Sequence, residues 1–372
     1  MEIKARDLIR LMEQWASPML AEKWDNPGMQ AGSAEQPVHK VLVSLDLTKQ
    51  NAQFAAENHI NMIISHHPFL FRGLKTVDLQ TEKGQILQTL LTHGITAFAA
   101  HTNLDTAEDG VNDALAAALE MKNLRGFVPI RKRRMYKLVT YVPELQEERI
   151  LAALKDAGAG QISHYSGCAF SSAGLGRFCP DGEAQPFCGE RGKENTEREV
   201  RIETCVSEEQ IKNVTAALVK VHPYEEPVWD LYELANQGKW QTMGRIGEFP
   251  REMTGEEALL YVKERLGLPV VKYAGPVGGA IRRAAVLGGA GAEFAARAKA
   301  LGADLYITGD VKYHEAQEAA AMGLLVIDGG HFYTERVIIP SLAERLRKTA
   351  ADRGWDVEII EDPMACDIFS YK

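Results

Sequence analysis

Short apolar runs separated by stretches of helical spacing occupy both ends of this chain, and that alternation leaves few architectures open. Residues 41–45 form the first run, helical spacing follows over 48–57, and 61–64 is apolar again. A second helical segment, 81–92, leads into the apolar residues 95–100. Toward the other end, 284–287 reads as a strand, the GGAG of 288–291 as a turn and 292–300 as a helix. A strand at 305–308, a helix at 313–321, a strand at 324–327 and a final helix over 331–348 complete the pattern. Strands separated by helices of these lengths predict βαβ units and a parallel sheet. The segments that start at VLVSLD (41–46) and AAVLGG (284–289) align loosely as strand, helix, strand. The expectation for residues 1–125 and 240–372 is therefore an α/β domain of two similar, pseudo-repeated halves with mostly parallel sheets.

The middle of the chain is patterned differently. Residues 135–141 and 199–205 alternate like half-buried strands, whereas 147–157 and 208–221 have helical spacing. Strand, helix, strands, helix, strand is the order of a ferredoxin-like α+β unit. The polar, Gly-rich stretch 180–196 reads as an exposed loop. Residues 126–239 are thus expected to form a separate domain inserted into the first.

Composition bounds the classes that remain. The 372 residues suffice for two or three domains, and 45% hydrophobic with 25% charged residues excludes disordered and fibrous chains. No apolar run approaches the roughly 20 residues that span a bilayer. The opening MEIKARDLIRLMEQW mixes both charge signs on a helical pattern, unlike a signal peptide. Five cysteines without a CxxC pair argue against a disulfide scaffold or a thiolate zinc site. A formal net charge of -9 gives no electrostatic case for nucleic acid. A cytoplasmic, globular protein is expected.

Ligands of parallel α/β sheets gather at the carboxyl ends of the strands, and there this sequence places unusual residues. One predicted strand ends in Ser65-His66-His67-Pro68 and another in His101-Thr102-Asn103-Leu104-Asp105. A third ends in Gly309-Asp310, with His314 a turn further on, and a fourth leads into Gly330-His331-Phe332-Tyr333-Thr334-Glu335. Five of the ten histidines fall at these points. His331 and Glu335 share one face at a helix start and can grip one ion. His66 and His67, on a turn past the strand, can serve two neighbouring ions, and Asp105 and Glu335 can bridge them. Three histidines and two carboxylates, without thiolates, suit a dinuclear site of Zn, Fe or Mn. Singly the pieces also fit blander uses: a surface histidine pair, a solvated His–Glu pair, a helix-capping aspartate. Recurrence at strand ends favours metal.

Other features read as structural. GGAGAEF (288–294) resembles half a dinucleotide fingerprint, but glycines also let a helix pack on a strand, which is the preferred reading. RKRR (131–134) fits a phosphate contact or, better, a solvated entry to the middle domain. Cys366 has no assignable His or Asp partner.

Taken together, SHHP, HTNLD, the GD…H pair and GHFYTE, with WDNPGMQAG (24–32) and MGRIGE (243–248), resemble the dinuclear-metal-centre, hexameric family known as GTP cyclohydrolase 1 type 2 homologues. The resemblance covers about 1–125 and 240–372. It implies a ring-shaped homohexamer with metal sites facing a cavity, and metal ligands at His66, His67, Asp105, His331 and Glu335. His101 and His314 become candidates for proton transfer. HPYEEPVWDL (222–231) resembles a motif of the trimeric PII-like and divalent-cation-tolerance proteins, which suits a dimer of trimers. The expected function is a metal-dependent hydrolase acting on a small nucleotide-like or phosphorylated substrate through water acidified between two ions. The alternative is a non-enzymatic metal-binding or regulatory assembly protein with a small-molecule-sensing insertion. A dehydrogenase would rest on GGAG alone.

Overall fold

Each of the buried apolar runs becomes a strand, and their register sets the strand ends level. In the computed structural model, which describes residues 2–236 and 238–372, the chain divides into two compact units, Met1–Ile130 with Gln241–Lys372, and Arg131–Trp240. One sheet of the first unit runs in the order Glu358–Glu361, Lys40–Ser44, Met62–Ser65, Thr96–Ala99, Gly28–Ala31. Its first four strands are mutually parallel, and Gly28–Ala31 is antiparallel to its neighbour. Ser44, Ser65 and Ala99 lie opposite one another, so the loops that follow emerge at one level.

Burial on both faces explains why the three central strands, Lys40–Ser44, Met62–Ser65 and Thr96–Ala99, are almost continuously apolar. Val41, Val43, Met62, Ile64 and Phe98 join one core with helices Ala5–Trp15 and Ile338–Arg353. Leu42, Ile63 and Ala97 join the opposite core with helices Lys49–Glu57 and Glu82–Thr92. Thr48 and Thr81 cap those last two helices, accepting from the backbone N–H groups of Asn51 and Gly84.

The second sheet has the order Lys272–Ala274, Leu325–Asp328, Leu305–Gly309, Ala280–Ala290, Trp240–Thr254, Lys122–Lys132. Its three strands from Leu325–Asp328 to Ala280–Ala290 are parallel. Arg245, in MGRIGE, makes a bidentate ion pair with Asp113 (2.5 and 2.6 Å) and so ties helix Val111–Ala118 to strand Trp240–Thr254.

Two expectations are corrected here. GGAG is no turn: the strand Ala280–Ala290 continues through Gly288 and Gly289 with a register shift after Val286, and the expected helix follows as a 3-10 turn, Ala292–Phe294, running into the α-helix Ala295–Ala300. The final helix is two, His331–Glu335 and Ile338–Arg353. Pro340 is the cause. It has no N–H for the carbonyl of Arg336, so it is tolerated only in the first turn of a new helix.

In the second unit, four antiparallel strands have the order Trp229–Glu233, Met135–Pro143, Asn195–Ser207, Ala169–Phe178. Helices Glu147–Asp156 and Ile211–Val221 supply Ile150, Leu154, Val214 and Leu218 to a core with Leu138, Val142, Val200 and Ile202. The histidine of HPYEEP is structural: its Nε2–H donates to Tyr141 O and its Nδ1 accepts from Tyr224 N. RKRR is tied down rather than freely solvated. Arg131 and Arg134 both reach Glu208, and Arg133 reaches Glu209.

Burial pushes the Glu208 carboxyl up, but the Arg134 backbone N–H and the two guanidinium groups outweigh it and hold the carboxyl below its ordinary value. A depressed folded-state pKa stabilises at neutral pH and is lost as pH falls from 4.5 through the lowered value. Glu208→Gln is therefore expected to cost about 1–3 kcal/mol at pH 7. The difference from wild type should shrink as the medium is acidified below about pH 4, measured by urea unfolding of both proteins at each pH.

Candidate metal centre

Loops from the ends of both sheets of the first unit converge on the carboxylate of Glu335. From the first sheet come His66 and His67, directly after Met62–Ser65, and His101 and Asp105 after Thr96–Ala99. Helix His331–Glu335 follows the second-sheet strand Leu325–Asp328 and brings both of its end residues to the same place.

Two sets of three donor atoms share Glu335. His67 Nε2 lies 2.9 Å from Glu335 Oε2, His331 Nε2 lies 3.1 Å from the same oxygen, and the two imidazole nitrogens are 3.3 Å apart. On the other side, His66 Nε2 is 3.7 Å from both Asp105 Oδ1 and Glu335 Oε1. Donors bound to a cation at about 2.0–2.2 Å stand roughly 3.0–3.6 Å from one another, which is close to these separations. His66, His67 and His101 form a third such group.

Behind each imidazole stands an acceptor that fixes its orientation. His66 Nδ1–H donates to Ala100 O (2.8 Å), which leaves Nε2 with its lone pair facing inward. His67, His331 and His101 place Nδ1 against Asp46, Asp310 and Asp25 at 2.8, 2.8 and 2.7 Å. Such carboxylate–imidazole pairs are the usual support of metal-binding histidines. Burial pushes the Asp25 carboxyl up, but hydrogen bonds from His101 and Thr102 carry it down to about 2. Against burial, Asp46 and Glu335 raise His67 to about 10. Glu335 and Asp310 likewise raise His331 to about 9.

Inside the cluster the charges do not balance. Burial, and then the neighbouring charge of Glu335, push Asp105 up. Glu335 is held well below its usual range, despite burial, by His66, His331 and His67. His66 Nε2 and Asp105 Oδ1 are buried, point into the cluster and have no hydrogen-bond partner among the described residues. Unsatisfied buried acceptors cost roughly 1–3 kcal/mol each, and a cation between them is the group that both atoms fit.

The structure places the expected residues unequally. His66, His67, Asp105, His331 and Glu335 stand together, with His101 beside them: its ring centroid is 5.3 Å from that of His66 and 5.5 Å from that of His67. His314 does not join them. It lies exposed on helix Tyr313–Ala321 with its ring against Tyr313. Asp310, held at φ 53°, is the residue of that strand end that reaches the cluster. Asp46 and Asp25, in the polar breaks SLDLT and WDNPG, are site residues that sequence pattern alone does not single out. Cys366 is exposed and lines a cavity of about 930 Å³ with His67 and His331.

The glycines of GGAG serve this centre. Gly289 sits at φ 63°, and a Cβ there would overlap Glu335 Oε1. Its N–H donates to Thr334 Oγ1 (3.0 Å), while Gly288 N–H donates to Asn112 Oδ1 (3.0 Å). Asn112 also donates to Asp105 O, so one side chain links both strand ends. Gly289→Ala is expected to displace the Glu335 carboxylate and weaken zinc binding by about 10–100-fold, read by competition with a chelator. Unchanged zinc affinity would separate this glycine from the cluster.

An α/β unit with a buried histidine–carboxylate cluster at its strand ends defines a class of candidate metalloproteins. Sequence comparison narrows the class. The Duf34/NIF3 (NGG1p interacting factor 3) family pattern matches residues 3–365, and the chain belongs to that family. Proteins of Halalkalibacterium halodurans and Bacillus subtilis named GTP cyclohydrolase 1 type 2 homolog are similar throughout. They are 39% identical over 364 residues (98% of each chain) and 38% identical over 369 residues (99% of each). The resemblance read from the motifs thus holds. The crystal structure of a Bacillus cereus protein related to NIF3 superposes with a TM-score of 0.90 at 36% identity, covering 100% of this chain and 99% of that one. A Staphylococcus aureus protein gives 0.76 at 30% identity, with the same coverage.

Proposed function

We propose that this protein binds two divalent metal ions, of Zn, Fe or Mn type, and is a hydrolase for a small nucleotide-like or phosphorylated molecule. The observation that carries the reading is the division of Glu335: Oε1 belongs to the set with His66 and Asp105, Oε2 to the set with His67 and His331. His66, Asp105 and Glu335 would hold one ion, and His67, His331 and Glu335 the other. Bound there, the ions would supply Lewis acidity and a reactive water near neutral pH.

The chain's own part is orientation and proton handling. Asp46 and Asp310 fix the imidazoles of His67 and His331, so their Nε2 atoms need no reorganisation. His101 is the remaining imidazole at the cluster edge. With Nδ1 engaged by Asp25, it can hold or release a proton only at Nε2. His314 is exposed and belongs to none of the donor groups, so that role falls to His101.

The reading extends to assembly. Unit Arg131–Trp240, with sheet order fourth, first, third, second, is taken as a ferredoxin-like, PII-like insertion. The remainder is taken as two similar halves, in a homohexamer acting in the cytoplasm. Among the described residues no helix is long and apolar enough to cross a membrane.

Elemental analysis tests the central statement. Protein purified without added metal, then reloaded with Zn, Mn or anaerobic Fe(II), is expected to carry about two ions per chain. Asp105→Ala should lose about one ion and Glu335→Ala most of both. Absence of stoichiometric metal in every reloaded sample would refute the proposal, and full metal in Glu335→Ala would refute the ligand assignment. A substrate of this class should turn over at above about 1 s⁻¹.

A further inference from the structure

Beside the histidine cluster, two large aromatic rings stand in solvent on a rigid frame. Trp24 is 60% and Phe71 41% exposed, although each is anchored at the backbone next to it. Asp25 accepts from Thr102 N–H and the Thr102 hydroxyl and holds His101. Asn26 Nδ2 donates to Leu70 O (2.7 Å), and the buried Gln30 accepts from Leu70 N–H (2.9 Å) while donating to Asn26 O. The WDNPGMQ segment and the loop that follows the histidine pair are therefore cross-linked immediately beside both rings.

Trp24, Phe71 and His101 form a corner. Their ring centroids are 5.8, 6.1 and 6.2 Å apart, with interplanar angles of 60°, 74° and 83°. A planar ring stacked on one wall of such a corner meets the others edge-on, which is the preferred aromatic geometry. Base-on-aromatic stacking contributes roughly 1–3 kcal/mol per ring and tolerates any base, because each has a π face. Exposed aromatics that adjoin one another, unlike scattered single ones, mark a candidate recognition surface.

We infer that Trp24 and Phe71 are a specificity platform that takes a planar heteroaromatic ring of the substrate and presents its attached atoms to His101 and the histidine cluster. This inference rests on the proposed reading of the cluster as a substrate-processing metal centre. It adds that the substrate class is ring-bearing rather than merely phosphorylated, and it gives the WDNPG motif a second task beyond holding His101.

The test is binding by the full-length, metal-reloaded protein, followed by equilibrium dialysis with GMP, AMP and CMP, and with ribose 5-phosphate as the ringless control. At least one nucleotide is expected to bind saturably, and at least ten-fold more tightly than ribose 5-phosphate. Trp24→Leu and Phe71→Leu should each weaken it about ten-fold, the equivalent of one stacking contact, whereas Trp24→Phe should stay within about three-fold of wild type. Nucleotide should also quench a part of the tryptophan emission that Trp24→Phe lacks. Metal content is measured on the same samples. Normal metal with nucleotide affinity indifferent to both Leu variants overturns the platform, as does binding of ribose 5-phosphate as tight as that of the nucleotides, or no saturable binding of any. A smaller particle in gel filtration for the Leu variants would assign the corner to a contact between copies and overturn it too. Missing metal in wild type would instead overturn the reading of the cluster, and ring-dependent binding would still support the platform.

Discussion

The buried carboxylate of Glu335 is the constraint on which the rest of this structure turns. It is the point where the two sheets of the first unit exchange polar contacts: His66 and His67 reach it from one, His331 and Gly289 approach it from the other. A carboxylate out of water is costly unless its charge is compensated at close range. Three imidazoles supply that compensation for Glu335, whereas at Asp105 burial and the charge of Glu335 outweigh what His101 and His67 supply. Protons can relieve part of the imbalance, as the raised Asp105 shows. A bound cation would relieve it too and would satisfy His66 Nε2 and Asp105 Oδ1 as well.

Such a cluster needs more than the right residues; it needs backbones that end at the right height. The parallel register does this. Ser44, Ser65 and Ala99 are level, so Asp46, the His66–His67 pair and His101 emerge side by side. In the second sheet Thr308 lies opposite Asp328, which brings Asp310 and His331 to one end. The aspartates then convert proximity into orientation, since each fixes one ring nitrogen and thereby aims the other. Left-handed backbone occurs at three positions around this cluster. Gly289 and Gly330 both have positive φ, and Asp310 adopts the same region without being glycine.

Much of this was legible in the sequence because buried parallel strands admit so few polar residues. Where an all-apolar run stops at SHHP or HTNLD, the polar residues mark the strand end, and strand ends of one sheet are neighbours in space. What escaped was anything set by contacts between segments distant in sequence. His314 has the right residue type one turn past a strand end, but helical phase turns it outward, and phase depends on where the helix starts. Asp46 and Asp25 were hidden for the opposite reason: a lone aspartate in a loop is common, and only the imidazole opposite it reveals a role. Gly-rich GGAG reads as a turn, whereas Gly289 marks the close approach of Glu335. A bulged strand and a turn look alike in such a short stretch.

The second unit shows why a chain can carry this centre and an additional module without compromise between them. Its core is built only of residues between Arg131 and Trp240, and none of the four other cores borrows from it. The chain leaves the first unit along Lys122–Lys132 and returns along Trp240–Thr254, and these strands are hydrogen-bonded neighbours in one sheet. The inserted residues therefore lie, along the chain, between two strands that are neighbours in one sheet. Within the second unit, Arg133 N–H donates to Lys239 O, which joins residues near its two ends. On the first-unit side, Arg245 lies on the returning strand and holds helix Val111–Ala118, which carries Asn112 to Asp105 and Gly288. The strand that readmits the chain thus also braces, through Arg245 and Asp113, the helix whose Asn112 reaches the candidate metal site.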